Sequence, residues 1–172
     1  MEFSELIIRR ESIRNYDPSR PVPEEVLKRI LEAGRIAPSA SNMQPWKFLV
    51  ISSPGMLEKV RECNNRDWFH DAPHIVAVAG LKDRAWVRSF DKYRSVETDA
   101  AIAMTHIILA AENEGVATCW IAHFDPAKLR NALGLTSEQE IFGITPLGYT
   151  RPGFRKSGDK KRKDFSEVVE IL

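Results

Sequence analysis

Residues 100–111 constrain the fold of this chain more than any other part of its sequence. They read AAIAMTHIILAA, so small or apolar side chains occupy almost every position around a helix. Such a helix has no polar face to present to solvent and must be buried on most sides. In a chain of 172 residues it is expected at the centre of the core, where a second subunit could cover part of it. Gly115 is expected to end this helix in the left-handed conformation.

The composition is that of one globular domain covering residues 1–172. Hydrophobic residues make up 43% of the chain and charged residues 28%. The two cysteines, Cys63 and Cys119, exclude a disulfide scaffold and a four-thiolate metal site, and no metal is expected. A formal net charge of +1 argues against a general nucleic-acid or membrane binder. Because no signal-like N-terminus or long apolar span is visible, we expect a cytoplasmic protein.

Four apolar segments rich in β-branched residues are typical of buried strands. They cover residues 46–52, 74–80, 116–122 and 140–149, and residues 168–172 are a candidate closing strand. Segments with helical periodicity separate them, but without a regular βαβ alternation. The pattern therefore predicts an α+β fold.

Arg10, Ser12 and Arg14 form the first candidate binding site. Alternate residues of an extended segment point to the same side, so these three side chains are expected to converge. Two guanidinium groups and a hydroxyl suit a phosphate, because arginine donates to its oxygens in a planar, bidentate geometry. On these residues alone, a solvated loop paired with nearby acids is the simpler alternative.

The loop of residues 37–46, here called the Pro-Ser loop, is the second candidate. It reads APSASNMQPW and carries hydroxyl and amide side chains but no charge. Such a loop can bring backbone N–H and amide donors close to a ligand. The alternative is ordinary turn chemistry, in which Pro, Ser and Asn are favoured for local reasons.

The basic segment 151–163 is the third candidate, with seven Lys and Arg residues against one acid, Asp159. It could bind a phosphate or form a solvated tail. Nucleic-acid binding is disfavoured, because no helix-turn-helix, zinc-finger or RNA-binding signature accompanies the charge. The usual glycine-rich loops for nicotinamide and nucleotide phosphates, GxGxxG and GxxxxGK[ST], are also absent.

The order of these three segments resembles that of the FMN-dependent nitroreductase family. Two further segments match, so that the likeness spans nearly the whole chain. The motifs that carry it are Arg10-x-Ser12-x-Arg14, Pro38-Ser39 with Asn42 and Gln44, Asp71-Ala72-Pro73, Gly115 to Ile121 and Lys161-Arg162-Lys163. The last of these is similar to the ending of the iodotyrosine deiodinases, a related branch. The acid-glycine pair often seen on the family's flavin strand is missing here.

The resemblance implies an α+β sandwich with a mostly antiparallel sheet flanked by helices, assembled as an intertwined homodimer with FMN at the interface. It implies an oxidoreductase that takes hydride from NADH or NADPH in a ping-pong reaction. The acceptor would be a small molecule such as a nitroaromatic, a quinone or a flavin. The alternative is a flavin-binding protein of the same fold without catalytic activity.

The family's functional positions transfer to this chain one by one. The phosphate would be held by Arg10, Ser12, Arg14 and Arg162. The partner subunit would contribute Pro38, Ser39, Ala40, Asn42 and Gln44. The flavin ring would meet Asn65, Trp120, Ile121 and Ala122, with a backbone N–H near its N5 atom. Apart from these family positions, Trp86, Phe90 and Tyr93 are candidates for lining the acceptor site, and an irregular exposed loop is the equal alternative for their segment. The resemblance assigns the chemistry to the flavin and requires no catalytic side chain.

Overall fold

A four-stranded antiparallel sheet organises the chain, in a computed structural model that describes residues 2–172. The strand order is β1-β2-β4-β3. The bounds are β1 (Trp46–Ile51), β2 (His74–Leu81), β3 (Ala117–Thr118) and β4 (Gln139–Gly148). Strand β2 is buried along almost its whole length, because it lies between two neighbours and both faces of the sheet are covered.

Helices cover both faces of the sheet. Their bounds are α1 (Phe3–Arg9), α2 (Glu24–Arg35), α3 (Pro54–Arg61), α4 (Asp67–His70), α5 (Val96–Asn113), α6 (Pro126–Leu133) and α7 (Phe165–Val168). Helices α2 and α5 pack on one face through Val76, Val78 and Met104. Helices α3 and α6 pack on the other face through Leu57, Val60 and Leu129. The predicted α+β class, a sheet flanked by helices, is therefore confirmed.

Helix α5 is the central element that its composition predicts. Its buried residues include Ala103, Met104 and Ile107, and Gly115 follows it with a φ of 71°. Gly34 lets helix α2 approach it closely, because a Cβ at Gly34 would lie 2.6 Å from Cγ1 of Ile107. Among residues 2–172, no helix combines the length and apolar character needed to span a membrane.

Two strand predictions are wrong: the third strand is shorter than predicted, and the closing strand is absent. The third strand ends at Thr118, since the N–H of Cys119 donates to the side chain of Thr145 (N···O 3.3 Å), and only Ile121 meets β4 again. Residues 168–172 form no strand: α7 ends at Val168, and the chain after it has no neighbouring strand to pair with. Leu172 is fully exposed.

Candidate functional site

The segment of residues 10–14, here called the Arg loop, lies in extended form against β3. The N–H of Ile13 donates to the carbonyl oxygen of Thr118 (N···O 2.8 Å), and the side chain of Ile13 is only 2% exposed. With Ile13 turned inward, Ser12 and Arg14 are turned outward and exposed, while Arg10 is half-buried. The alternation expected from the sequence is therefore present.

The buried thiol of Cys119 shows that these side chains share one location. Burial raises the pKa of this thiol, but the charge of Arg14, the Ser12 side chain and the charge of Arg10 each act to lower it. All three side chains therefore act on the same thiol, and Arg14 lines the same cavity as Cys119. The thiol itself is a packing group rather than a nucleophile, because its raised pKa keeps it protonated near neutral pH.

The C-terminal basic segment folds back over the Arg loop. Lys156 forms an ion pair with the buried Glu112 and also donates to the carbonyl oxygen of Arg9 (N···O 3.2 Å). The amine of Lys160 donates to the carbonyl oxygen of Ile7 (N···O 3.0 Å). Burial lowers the pKa of Lys160, and so do the positive charges of Arg10 and Arg162. Two basic segments about 150 residues apart in sequence thus meet at one place.

Several arginines of the chain are paired with a carboxylate, and those at this place are not. Arg29, Arg35 and Arg88 each bind a carboxylate in a two-pronged geometry. Within residues 2–172, no carboxylate oxygen lies within 4.0 Å of the guanidinium groups of Arg10, Arg14 or Arg162. The charge of this cluster is not neutralised by the protein, so it is free to act on an anion.

A cavity of about 410 Å³ opens beside Arg14. Trp120, Ile121 and Ala122 line it, so four residues of the candidate set meet here. The N–H of Ile121 donates to the carbonyl oxygen of Ile144. The N–H of Ala122 has no acceptor among residues 2–172 and can donate to a ligand.

Trp120 separates this cavity from a second one of about 270 Å³, which Arg10, Thr105 and Ile108 line on the side of α5. Its indole lies against Gly143 of β4, where a Cβ would come within 3.1 Å of the ring. Glycine at this position lets the indole lie close to the sheet. Trp120 is therefore the aromatic wall of both cavities.

The Pro-Ser loop is shaped by its own polar groups. The N–H of Gln44 donates to Oγ of Ser39 (2.9 Å), and its side-chain amide donates to the carbonyl oxygen of Asn42 (3.1 Å). The N–H of Ala40 donates to Oδ1 of the buried Asp99 (2.9 Å), in the first turn of α5. The backbone of Asn42 and Gln44 has positive φ, at 56° and 49°.

Within one chain this loop lies apart from the Arg loop. It is attached at Asp99, whereas Ile108, nine residues further along α5, lines the second cavity with Arg10. Nine residues of helix span about 13 Å. Pro38, the first of the candidate residues in the loop, is exposed.

The candidate acceptor residues lie on a hairpin formed by residues 86–94. Val87 pairs with Arg94, and the N–H of Arg88 donates to the carbonyl oxygen of Tyr93 (2.9 Å). Phe90 stands at the tip and is 94% exposed, while Trp86 is half-buried.

Five residues outside the candidate set also line the larger cavity, namely Asn64, Arg66, Trp68, Cys119 and His123. Asn65, the candidate for this region, is exposed between two of them. The side-chain amide of Asn64 donates to the carbonyl oxygen of His123 (3.0 Å), and its Oδ1 accepts from the N–H of Arg66 (3.0 Å). The pair Asn64-Asn65 is the sequence feature that points to this part of the cavity wall, but the sequence alone does not tell which of the two side chains faces the cavity. In the described part of the chain, no cluster of His, Cys, Asp or Glu could hold a metal ion.

Comparison with known proteins identifies the family of this chain. The model of the nitroreductase family matches residues 7–62 and 54–149. A relative from Methanothermobacter thermautotrophicus, named for NADH dehydrogenase/NAD(P)H nitroreductase activity, is 32% identical over 169 residues, which cover 94% of this chain and 85% of the relative. A nitroreductase family protein from Clostridium difficile 630 has a solved structure that superposes with a TM-score of 0.91 at 34% identity, over 99% of this chain and 98% of that one.

A second solved structure, an FMN-dependent nitroreductase from Clostridium difficile R20291, has the same fold. Its TM-score is 0.76 at 24% identity, with 96% of each chain covered. The family match, the relative and the two structures all extend over most of the chain. The chain belongs to the nitroreductase family of oxidoreductases.

Proposed function

We propose that this protein is an FMN-dependent oxidoreductase that takes hydride from NADH or NADPH and reduces a small acceptor. The observation that carries the proposal is the group of Arg10, Arg14 and Arg162, which no carboxylate within residues 2–172 neutralises. Arg14 lines the cavity of about 410 Å³, and Arg10 lines the neighbouring one of about 270 Å³. A phosphate monoester carries a charge of about −2 near neutral pH and needs such donors. A ribityl phosphate with an attached ring satisfies both the cluster and the cavity.

The residues present fit this cofactor. Arg10, Ser12, Arg14 and Arg162 bind the phosphate, and Ser12 adds a hydroxyl donor to the guanidinium groups. The segment 120–122 supplies the wall along which the ring lies, with the N–H of Ala122 as a directed donor. Asn65 lies in sequence between Asn64 and Arg66, which line the same cavity.

FMN, when bound, supplies the redox chemistry, accepting two electrons from the nicotinamide and releasing them to the acceptor. The protein's part is to bind and orient. Its cationic groups favour the negative charge that the cofactor gains on reduction, because preorganised charges need no rearrangement during the reaction. Donor and acceptor use the same open face of the cavity in turn.

The Pro-Ser loop completes the site of a partner subunit in a homodimer. The separation of about 13 Å along α5 between its attachment at Asp99 and the second cavity favours this arrangement over a site within one chain. The side chains of Ser41 and Asn42 remain available, whereas the N–H groups of Ala40 and Gln44 are already used. Trp86, Phe90 and Tyr93 line the acceptor side.

The visible spectrum of the purified protein, loaded with FMN and then mixed with NADH or NADPH without oxygen, tests this function. We expect flavin absorption from bound cofactor and its loss on reduction. Flavin that binds but is not bleached by either nicotinamide would identify a flavin-binding protein without reductase activity. A protein that takes up no FMN from solution would refute the proposal.

Replacing two of the unpaired arginines tests the phosphate site. Arg14→Ala combined with Arg162→Ala should lower FMN affinity by about 10³-fold, since a hydrogen bond to a charged group contributes about 1.5–3 kcal/mol. The fold should be retained, because both side chains are exposed. Arg20→Ala combined with Arg84→Ala removes the same charge outside the cavity and serves as the control. Equal FMN affinity in both double variants would show that the phosphate lies elsewhere.

A further inference from the structure

The guanidinium group of Arg14 lies over the indole of Trp68, with 5.9 Å between Cζ and the ring centroid. Both side chains line the larger cavity. The segments that carry them are more than 50 residues apart in sequence, so the fold brings them together. An arginine within about 6 Å of an indole face is attracted by the negative charge density of the ring.

Trp68 is a rigid support for this contact. It lies in α4, is half-buried, and packs against the core cluster around Phe69 and against the smaller cluster around Ile13 and Tyr16. Its ring meets that of Phe69 edge to face, with centroids 6.3 Å apart. An indole held on two sides cannot rotate away without disturbing both clusters.

The indole holds Arg14 without cancelling its charge. Arg29 and Arg88 are held by carboxylates, which neutralise them. Arg14 has no such partner within residues 2–172, and a carboxylate there would oppose the binding of an anion. A neutral aromatic face localises a long flexible side chain and leaves its charge available to a ligand.

We propose that Trp68 is a positioning residue that holds Arg14 in place for the flavin cofactor. This rests on the proposed function, because the ligand that Arg14 serves is the one proposed above. Preorganisation of the guanidinium lowers the conformational entropy that FMN binding must remove. The indole acts on the cofactor only through Arg14, and this dependence separates it from a residue that merely fills space.

The first test needs no cofactor. In the NMR spectrum of the FMN-free protein, the side-chain protons of Arg14 should be shifted upfield by the indole ring current. The shift should persist in Trp68→Phe with reduced size and vanish in Trp68→Leu. Arg14 signals that are identical in the wild type and in a folded Trp68→Leu protein would overturn the contact, and this result stands whether or not FMN binds.

The second test is a double-mutant cycle read out by titration with FMN. Trp68→Leu should weaken FMN binding about tenfold, in the range of a partly desolvated cation–π contact. Trp68→Phe should weaken it by less, since a ring face remains. In the Arg14→Gln background, Trp68→Leu should cause no further loss. A loss of the same size in both backgrounds would show that Trp68 contributes packing alone, and would overturn the proposal while the proposed function stands.

Tyr149→Leu is the matched control for this cycle. It removes a second contact of the same kind, between Arg20 and the ring of Tyr149 at 4.0 Å, in a part of the chain that lines neither of the two site cavities. FMN affinity should be unchanged in this variant. If the wild-type protein binds no FMN, the proposed function fails, and the NMR test alone decides whether Trp68 positions Arg14.

Discussion

The Arg loop and the Pro-Ser loop are both polar segments next to α5, but they are held by opposite means. The Arg loop is attached through the buried side chain of Ile13 and one backbone hydrogen bond to Thr118. The Pro-Ser loop is attached through a buried carboxylate, Asp99, and its own hydrogen bonds. The first loop therefore keeps the side chains of Arg10, Ser12 and Arg14 free, whereas the second uses its polar groups to shape its own backbone.

This difference shows how a loop can be well ordered and still have unsatisfied donors. An apolar anchor consumes no side-chain hydrogen-bonding capacity, so the side-chain donors of Arg10, Ser12 and Arg14 stay available to a ligand. A polar anchor consumes the groups that form it, and the Pro-Ser loop can then offer mainly shape and the side chains of Ser41 and Asn42. The predictions below separate the two kinds of attachment.

Removal of the apolar anchor should have the largest effect on stability. Ile13→Ala should lower the free energy of unfolding by about 3 kcal/mol, the usual range for a fully buried isoleucine. Chemical denaturation followed by circular dichroism measures this loss. The control is Arg10→Ala in the same loop, which should change stability by less than about 0.5 kcal/mol while weakening FMN binding. A small loss for Ile13→Ala would show that the loop is held by its charges instead.

Removal of the polar anchor should have a smaller effect. Asp99→Ala leaves the N–H of Ala40 and the hydroxyl of Ser95 without their acceptor. We expect the free energy of unfolding to fall by about 2 kcal/mol, because leaving a buried donor without an acceptor costs about 1–3 kcal/mol. Asp99→Asn keeps an acceptor for one donor and should lose less. Hydrogen exchange should accelerate at Ala40 and not at Ile13, and acceleration at both amides would contradict independent attachment.

The segment that leads from the Arg loop to α2 depends on a neutral histidine. Nε2 of His74 accepts from the N–H of Val22 (3.0 Å), and Nδ1 lies 2.7 Å from Oγ of Ser52. Burial lowers the pKa of His74. The unfolded chain, with a histidine pKa of about 6.5, therefore binds the proton first. The contribution of neutral His74 to the free energy of unfolding is therefore complete above about pH 6.5. It is lost as the pH falls toward the lowered pKa that His74 has in the folded state.

A pH series with a variant at this histidine measures the effect. The free energy of unfolding should fall between pH 7 and pH 5, and the amide of Val22 should exchange faster at the lower pH. His74→Gln should reduce the pH dependence, since it removes the titrating group. His70→Gln, on the neighbouring helix α4, is the control and should leave the dependence in place. An unchanged slope in His74→Gln would exclude this histidine as its source.

Local features of the fold could be predicted from the sequence because their causes are local. The apolar composition of α5 dictates its burial, and the alternation of Arg10, Ser12 and Arg14 along an extended segment predicts their convergence. The length of the third strand could not be predicted, because Trp120 leaves the sheet to lie on Gly143, which is distant in sequence. β-Branched composition alone contains no information on that contact.

In the candidate site, too, the features that depend on distant contacts could not be predicted from the sequence. Trp68 could not be found from its neighbours, since its role depends on a cavity wall built from three separate segments. Asn64, the neighbour of the candidate Asn65, lines the cavity, and its side chain is held by hydrogen bonds with the backbone of His123 and Arg66 that no sequence pattern predicts. Lys156 and Glu112 join two elements 44 residues apart, and no spacing rule predicts such a pair.

The smallest expected effect is a gain in stability within the Pro-Ser loop. Ser41 has a φ of 50° and a ψ of 26°, a left-handed conformation that costs an L-residue about 1 kcal/mol. Ser41→Gly relieves this strain, although glycine also raises the conformational entropy of the unfolded chain. The free energy of unfolding should therefore rise by about 0.5 kcal/mol.

The paired control is Ser39→Gly, where φ is −143° and the hydroxyl accepts from the N–H of Gln44. That change should reduce stability, because it removes an acceptor and relieves no strain. Opposite signs at two serines two residues apart would show that this loop is held by hydrogen bonds against backbone strain, and equal signs would contradict that account.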